Sequence, residues 1–146
     1  MKVKDILAHK GRSVLTVRPD ASVVTMVHRL ALERVGALVV SEDGRHIAGI
    51  VSERDVVGAL AERGAEVLDS SLRVEEIMTR HVHTCQPEDG IKEVMAVMTR
   101  SRIRHLPVLE NGRLAGIVSI GDVVKNRLEE VELEANVLRD AYIALH

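Results

Sequence analysis

The sequence predicts an α+β protein in which two β-α-β-β-α units pack sheet to sheet about a pseudo-twofold axis, followed by a long helix. An internal repeat carries the prediction. Val17-Arg-Pro-Asp20 is matched 68 positions later by Cys85-Gln-Pro-Glu88, and the segment 49–55 is matched 67 positions later by 116–122. One such unit alone would leave an apolar sheet face in water, so two units are expected to bury it together.

The first helix of each unit is predicted by apolar residues at positions i, i+3, i+4 and i+7, which lie on one face of an α-helix. These residues are Val23, Met26, Val27 and Leu30 in the first unit and Ile91, Val94, Met95 and Met98 in the second. Asp20 and Asp89 each follow a proline just before these segments, and we expect them to cap the helices.

Short apolar runs predict the strands of each unit. The expected strands are 14–17, 37–40 and 46–51 in the first unit and 82–85, 105–108 and 113–118 in the second. Asp43-Gly44 and Asn111-Gly112 are dipeptides that favour tight hairpin turns. Because the repeat offset falls from 68 to 67 across these turns, the second hairpin is expected to be one residue shorter.

The predicted organisation is a first repeat with its N-terminal packing segment at 1–66, a second repeat at 67–125 and a C-terminal helix at 122–146. Apolar residues of this helix alternate at spacings of four and three, a heptad seam. The seam consists of Val124, Leu128, Val131, Ala135, Leu138, Tyr142 and Leu145. A single small domain needs only part of that length, so we expect the seam to pack on a partner chain; packing along its own sheets is the alternative.

Composition narrows the function classes. Tyr142 is the only aromatic residue among 146, and the net charge is −2, so neither stacking on bases nor a global cationic field is expected to recruit nucleic acid. No signal sequence or membrane span is predicted. The single cysteine, Cys85, favours a reducing compartment, and we expect a cytoplasmic protein with no nucleic-acid or membrane partner.

The repeated segments Gly49-Ile-Val-Ser-Glu-Arg-Asp55 and Gly116-Ile-Val-Ser-Ile-Gly-Asp122 each end a predicted strand in serine and begin a helix with aspartate. A hydroxyl, a carboxylate and the free amides of a helix N-terminus therefore meet at one turn, where a polar ligand can be held. Capping of the following helix is the alternative role for both residues.

In this arrangement the chain resembles a tandem pair of cystathionine β-synthase (CBS) domains over about residues 1 to 125. The resemblance includes Ile103-Arg-His-Leu-Pro-Val108 before the second hairpin, and with no attached domain it is closest to stand-alone pairs. It implies a regulatory module whose clefts bind adenine nucleotides, namely AMP, ADP, ATP, NAD or S-adenosylmethionine. It also implies a homodimer and an unidentified regulated protein.

The resemblance assigns candidate site residues. Asp122 and Asp55, with Ser119 and Ser52, would bind the ribose, and Arg104, His105 and Arg54 would bind phosphate. The base would lie against a set of mostly apolar residues: Thr16, Thr84, Leu38, Val39, Ile50, Leu106, Pro107, Val108 and Ile117.

The two clefts are expected to differ, because the counterparts of Arg104 and His105 in the first repeat are Gly36 and Ala37. Because Arg104 and His105 belong to the second repeat, the sequence favours Asp122 over Asp55 as the principal ribose ligand. Two other functions stay open: an interaction scaffold with non-functional clefts, and an enzyme, although no nucleophile–base pair is visible. The alternation of His81, His83 and Cys85 could place three metal ligands on one strand face, but no fourth ligand is evident and no metal is expected.

Overall fold

The computed structural model describes residues 1–146 and has the mixed architecture that the sequence predicts. Its helices and strands are α1 Val3–Lys10, β1 Thr16–Val17, α2 Val23–Glu33, β2 Ala37–Val40, β3 Gly49–Ser52, α3 Glu53–Arg63, α4 Ile91–Ser101, β4 His105–Glu110, β5 Arg113–Ser119 and α5 Ile120–Leu145. The first repeat runs from β1 to α3 and is preceded by α1, and the second runs from α4 to α5. Two short 3-10 helices, Gly64–Leu68 and Val74–Glu76, join the repeats.

The two sheets are not equal. In the first, β1 runs parallel to β2 and β2 pairs antiparallel with β3, whereas the second has only β4 and β5. The predicted strand 82–85 was wrong: Cys85 alone forms a parallel bridge to Val108. The residues before it leave the sheet and cross to the first repeat, where Thr79 bridges Ile50, so they cannot also extend along β4.

The hairpins differ in their turns. Asn111 and Gly112 both have positive φ, 54° and 76°, which suits a tight turn between twisted strands. In the first hairpin the Asp43 carboxylate accepts hydrogen bonds from the amides of Arg45 and His46, both 2.8 Å long. This wider loop delays β3, which begins at Gly49 rather than at the predicted residue 46.

The predicted helix caps were also wrong. The N-cap of α2 is Ser22, whose hydroxyl accepts from the Thr25 amide at 3.1 Å, and the N-cap of α4 is Gly90. Asp20 instead binds Arg18, and Asp89 accepts the amide of Gln86. Both aspartates therefore stabilise the turn that leads into the helix rather than the helix itself.

Each repeat has its own apolar core, and each core is completed by the segment that precedes the other repeat. The core of the second repeat includes Val3, Ile6 and Leu7 of α1. The core of the first repeat includes Leu72 and Val74 from the connection between the repeats. This exchange joins the two repeats through buried side chains, so neither core is complete without the other half of the chain.

The exchanged segments explain the glycine that begins each repeated motif. A Cβ at Gly49 would lie 2.7 Å from the Met78 sulfur and 2.8 Å from the Thr79 carbonyl oxygen. A Cβ at Gly116 would lie 2.7 Å from Cδ2 of Leu7. Only glycine allows the crossing segment to approach the strand this closely.

We expect Gly49→Ala to lower the free energy of unfolding by about 1–3 kcal/mol, because backbone must move to admit the methyl group. Gly116→Ala is the matched control and should cost less, since the tip of the Leu7 side chain can rotate away. Urea denaturation measures both. Equal stability of Gly49→Ala and the parent protein would contradict the close approach.

The C-terminal helix α5 is about 39 Å long at the rise of an α-helix. Its first turns pack on the second repeat through Val123 and Asn126, which are buried. Every residue from Val131 onward is exposed, so the predicted seam does not lie along the protein's own sheets. No helix has the length and apolar character needed to cross a membrane.

Candidate functional site

A cleft of about 600 Å³ opens beside Asp55, between the two repeats. The first repeat contributes the end of β3 and the first turn of α3, the second contributes the turn between α4 and β4, and the exchanged segment forms a third wall. The residues that line it include Gly36, Ile50, Ser52, Glu53, Arg54, Asp55, Thr79, His81, His83, Arg102, Arg104 and His105.

The Asp55 carboxylate uses its two oxygens differently. Oδ2 accepts hydrogen bonds from the Ser52 amide at 2.9 Å and the Ser52 hydroxyl at 3.2 Å, which stabilises the start of α3. Oδ1 accepts only the Thr79 hydroxyl, at 3.3 Å. Capping and ligand binding are therefore compatible, because one oxygen is committed to the helix and the other retains accepting capacity toward the cleft.

The exchanged segment is held on β3 by backbone hydrogen bonds. The Ile50 amide donates to the Thr79 carbonyl at 3.0 Å, and the Thr79 amide donates to the Ile50 carbonyl at 2.9 Å. This pairing fixes Thr79 beside Asp55 and places His81 and His83 along the wall of the cleft. One polar wall thus comes from outside the repeat that carries the motif.

The equivalent aspartate of the second repeat is already occupied by a cation. Asp122 Oδ2 accepts the Ser119 amide at 2.9 Å and the Lys10 ammonium at 2.6 Å. Burial alone would raise the pKa of Asp122, but Lys10 and the hydrogen bonds of Ser119 outweigh burial and hold that pKa below its usual value. Lys10, at the end of α1, therefore neutralises the carboxylate of Asp122, the residue that the sequence favours as the principal ribose ligand.

His105 lies between the two clefts. It lines the Asp55 cleft, and its Cε1 would be 3.2 Å from a Cβ placed on Gly36. Burial, then the nearby Lys10 ammonium, lower the pKa of His105, while Glu53 and Asp122 oppose this effect less strongly and Arg104 adds to it. Burial, assisted by the Lys10 ammonium, thus biases the imidazole toward its neutral form.

The lowered pKa of His105 makes stability depend on pH. In the unfolded chain this imidazole gains a proton near pH 6.5, the ordinary pKa of histidine, before the folded state does, so the free energy of unfolding falls as pH drops below that value. We expect His105→Gln to show a shallower fall between about pH 7.5 and about pH 5. The control is His28→Gln, at an exposed position of α2; equal slopes for His105→Gln and the parent protein would contradict the argument.

The structure divides the residues expected to bind the base. Strand alternation places Leu38, Leu106 and Val108 in the two apolar cores, on the helix-covered face of each sheet. All three side chains pack in these cores, and their contact with a base stays a prediction. The opposite face carries two cross-strand pairs instead, Val39 with Ile50 and Pro107 with Ile117, and Ile50 lines the Asp55 cleft.

The two threonines expected near the base do not line this cleft. Thr16 lines a separate pocket of about 490 Å³, and its carbonyl accepts a hydrogen bond from Arg29. Thr84 is exposed and precedes the Cys85 bridge. The threonine that lines the Asp55 cleft is instead Thr79, five positions before Thr84. The chain crosses to the first repeat at Thr79, before it reaches Thr84.

The phosphate candidates are grouped differently from the sequence expectation. Arg54, Arg104 and His105 all line the cleft that contains Asp55. Arg104 and His105 belong in sequence to the repeat of Asp122, but the turn before β4 faces the other repeat. The cationic side chains therefore lie beside Asp55, and a lysine–aspartate pair lies at Asp122. Different affinities at the two motifs stay a prediction.

Sequence reasoning assigned no ligand-binding role to several residues at these sites, namely Glu53, Thr79, His81, His83 and Arg102 of the Asp55 cleft and Lys10 beside Asp122. A signal was present, because Val3-Lys-Asp-Ile-Leu7 and Val74-Glu-Glu-Ile-Met78 are similar. Those matched segments precede each repeat and continue into Lys10 and Thr79. Their packing on the opposite repeat, which brings them to the clefts, is a long-range feature that periodicity does not encode.

His81, His83 and Cys85 do not share a face. The two imidazoles meet edge to face with centroids 5.8 Å apart, and both line the Asp55 cleft, whereas Cys85 lies in the core of the second repeat. Burial, with a smaller contribution from Asp89, raises the pKa of the Cys85 thiol to about 12. The chain contains no group of three or more histidine, cysteine, aspartate or glutamate side chains placed to hold a metal ion.

Known proteins share this sequence and architecture. The chain is 36% identical over 149 residues to the CBS domain-containing protein CBSX3, mitochondrial, of Arabidopsis thaliana, covering 97% of this chain and 71% of that protein. A CBS-domain containing protein of Agrobacterium tumefaciens has a crystal structure that superposes with a TM-score of 0.82 at 46% identity, covering 87% of this chain and 99% of that one.

A second solved structure is informative because it contains ligands. The CBS domain pair of protein MJ0100, in complex with 5′-methylthioadenosine and S-adenosyl-L-methionine, superposes with a TM-score of 0.76 at 25% identity. It covers 89% of this chain and 98% of that one. The family model of the CBS domain matches twice, at residues 3–62 and 74–129. Two matching repeats that together span most of the sequence show that this chain belongs to the CBS domain family.

Proposed function

We propose that this protein is a regulatory module that binds an adenosine-containing nucleotide in the Asp55 cleft. The ribose hydroxyls would donate to Asp55 Oδ1, the base would lie against Ile50, and the phosphates would extend toward Arg104. The observation that carries the proposal is the divided role of Asp55, whose Oδ2 caps α3 while Oδ1 accepts only a 3.3 Å bond from Thr79. An ionised acceptor and a diol form hydrogen bonds of about 1.5–3 kcal/mol each.

Adenosine ligands are favoured over other nucleosides by the related pair of protein MJ0100, whose structure contains 5′-methylthioadenosine and S-adenosyl-L-methionine. The candidates for this chain are AMP, ADP, ATP, NAD and S-adenosylmethionine. We propose a sensor rather than an enzyme, in which the bound ligand favours one arrangement of the repeats and a partner protein reads that arrangement. A cytoplasmic location is also proposed, supported by a single, buried and unpaired thiol at Cys85.

Thermal unfolding with each candidate tests the proposal. A ligand present at about 100 times its dissociation constant adds about 2.7 kcal/mol to the free energy of unfolding. We expect at least one adenosine nucleotide to stabilise the protein by this amount, with guanosine monophosphate as the control for the base. If none of the five candidates stabilises it, the module is an interaction scaffold, a function that the exposed α5 would favour.

We further propose that the protein is a homodimer joined through the seam of α5. Leu138 is 72% exposed and Leu145 is 83% exposed in the single chain. Such a continuous apolar stripe on a helix that extends past its own domain is typical of a surface that packs against another helix. A second copy of the chain is the proposed partner, because the same heptad seam on another copy can pack against it.

Leu138→Gln should weaken the dimer about a thousandfold, because two buried leucines are lost per symmetric dimer at about 2 kcal/mol each. Asp140→Asn is the control and should leave the dimer unchanged, because Asp140 is exposed and lies on the side of α5 away from the seam. Removal of residues 129–146 should have a larger effect than either substitution. Sedimentation velocity distinguishes the species; a monomeric parent protein, or an unchanged dimer after truncation, would refute the seam as the interface.

A further inference from the structure

Cations outnumber carboxylates around the Asp55 cleft. Arg54, Arg102 and Arg104 line it, whereas Glu53 and Asp55 are the only acidic lining residues. The ion pairs of the chain include none of these three guanidinium groups, although several exposed lysines and arginines elsewhere are paired within 4.0 Å. The cationic groups at the cleft are therefore available to an anion from solution.

Backbone geometry brings the three guanidinium groups to one opening. Arg102 ends α4 in the left-handed conformation, with φ of 53°, and Arg104 follows two residues later, just before β4. Arg54 lies in the first turn of α3, and its Nη1 donates to the Arg102 carbonyl at 3.1 Å. This hydrogen bond joins the start of α3 to the end of α4 across the boundary between the repeats.

These guanidinium groups lie next to the position proposed for the ribose. Asp55 and Arg54 are adjacent in α3, so a ribose held by Asp55 lies near the helix N-terminus, where the partial positive charge of the helix adds to that of the arginines. In a ligand with several phosphates, each phosphate can accept hydrogen bonds from a different guanidinium group. A sulfonium ligand at the same place would meet like charge instead.

We infer that the Asp55 cleft selects adenosine ligands that carry two or more phosphates, and discriminates against S-adenosylmethionine and unphosphorylated adenosine. This inference rests on the proposed function, because it assumes that the ribose binds at Asp55. It names the ligand class within the five candidates: the diphosphate and triphosphate nucleotides and the dinucleotide bind, and the sulfonium compound does not.

Calorimetric titration of the full chain with adenosine, AMP, ADP, ATP, NAD and S-adenosylmethionine tests the inference. The titrations are done with a chelator, so that divalent cations do not neutralise the phosphates, and at two salt concentrations. We expect ADP and ATP to bind at least about tenfold more tightly than adenosine or S-adenosylmethionine, the change expected for one charged hydrogen bond. The advantage of ATP should shrink in high salt.

Substitutions locate the phosphate contact. Arg102→Gln should weaken the binding of ADP at least about tenfold and leave the binding of adenosine unchanged. Arg104→Gln provides a second, independent variant. The matched control is Arg34→Gln, because Arg34 ends α2 in the same left-handed conformation, with φ of 54°, but does not line the Asp55 cleft.

The outcomes separate the two proposals. If AMP binds as tightly as ADP, if S-adenosylmethionine binds as tightly as ADP, or if Arg102→Gln and Arg34→Gln have the same effect on ADP binding, the phosphate selection is overturned while nucleotide binding stands. If neither adenosine nor any of the five candidate ligands binds, both this inference and the proposed function fail.

Discussion

The Asp55→Asn variant is expected to bind adenosine nucleotides at least about tenfold more weakly than the parent protein. The substitution removes the negative charge that accepts the ribose hydroxyls but keeps an oxygen that can accept the Ser52 amide, which Asp55 Oδ2 binds at 2.9 Å. Because the amide oxygen of asparagine can still accept the amide of the N-cap residue Ser52 from this third helical position, the fold should survive. Calorimetric titration with ADP measures the loss, and urea denaturation checks that stability is retained.

Asp122→Asn is the matched control, because it makes the same change at the equivalent position of the other repeat. The Asp122 carboxylate is bound by Lys10 at 2.6 Å, so we expect nucleotide affinity to change little. If Asp55→Asn binds as tightly as the parent protein while Asp122→Asn binds weakly, the ribose site lies in the second repeat, where sequence order alone had placed it.

Lys10→Met is expected to raise the number of nucleotides bound from about one to about two per chain. In the parent protein a nucleotide at Asp122 must displace the Lys10 ammonium, which is only partly exposed, whereas the variant places a neutral side chain of similar length beside this carboxylate. The two side chains of this ion pair are 35% and 26% exposed, so its loss should lower the free energy of unfolding by less than about 1 kcal/mol.

Lys4→Met is the control for Lys10→Met. Lys4 lies on the same helix but pairs with Glu88 at the surface, at 3.2 Å, away from both aspartates of the motifs. Calorimetry and equilibrium dialysis both report stoichiometry. Two equal, independent sites in the parent protein, or a single site in Lys10→Met, would refute the idea that Lys10 blocks the second cleft.

The repeat, the hairpins and the extended final helix could be predicted from the sequence because each depends on local periodicity. The spacing of Met26 and Leu30 specifies a helix face, and Asn111-Gly112 specifies a turn, whatever the rest of the chain does. The heptad seam likewise predicted a helix that leaves the domain, and its residues from Val131 onward are exposed. For these elements the physical cause lies within a few residues.

The composition of the site could be predicted only in part, because it depends on which repeat each flanking segment joins. Arg104 lies in the repeat of Asp122 in sequence, yet it lines the cleft of Asp55. Lys10 precedes the first repeat, yet it binds Asp122 of the second. The burial of Leu38 has a simpler cause: strand alternation in β2 directs Leu38 toward the helices and Val39 to the opposite face of the sheet.

The location of a bound nucleotide tests the central proposal most directly. Amide chemical shifts of the isotopically labelled protein, recorded while ADP is added, report which residues the ligand approaches. We predict that the largest changes occur at Ile50, Asp55, Thr79 and Arg102, with little change at Lys10 and Asp122. Absence of any change at saturating ADP, or changes centred on Lys10 and Asp122, would contradict the assignment of the Asp55 cleft as the nucleotide site.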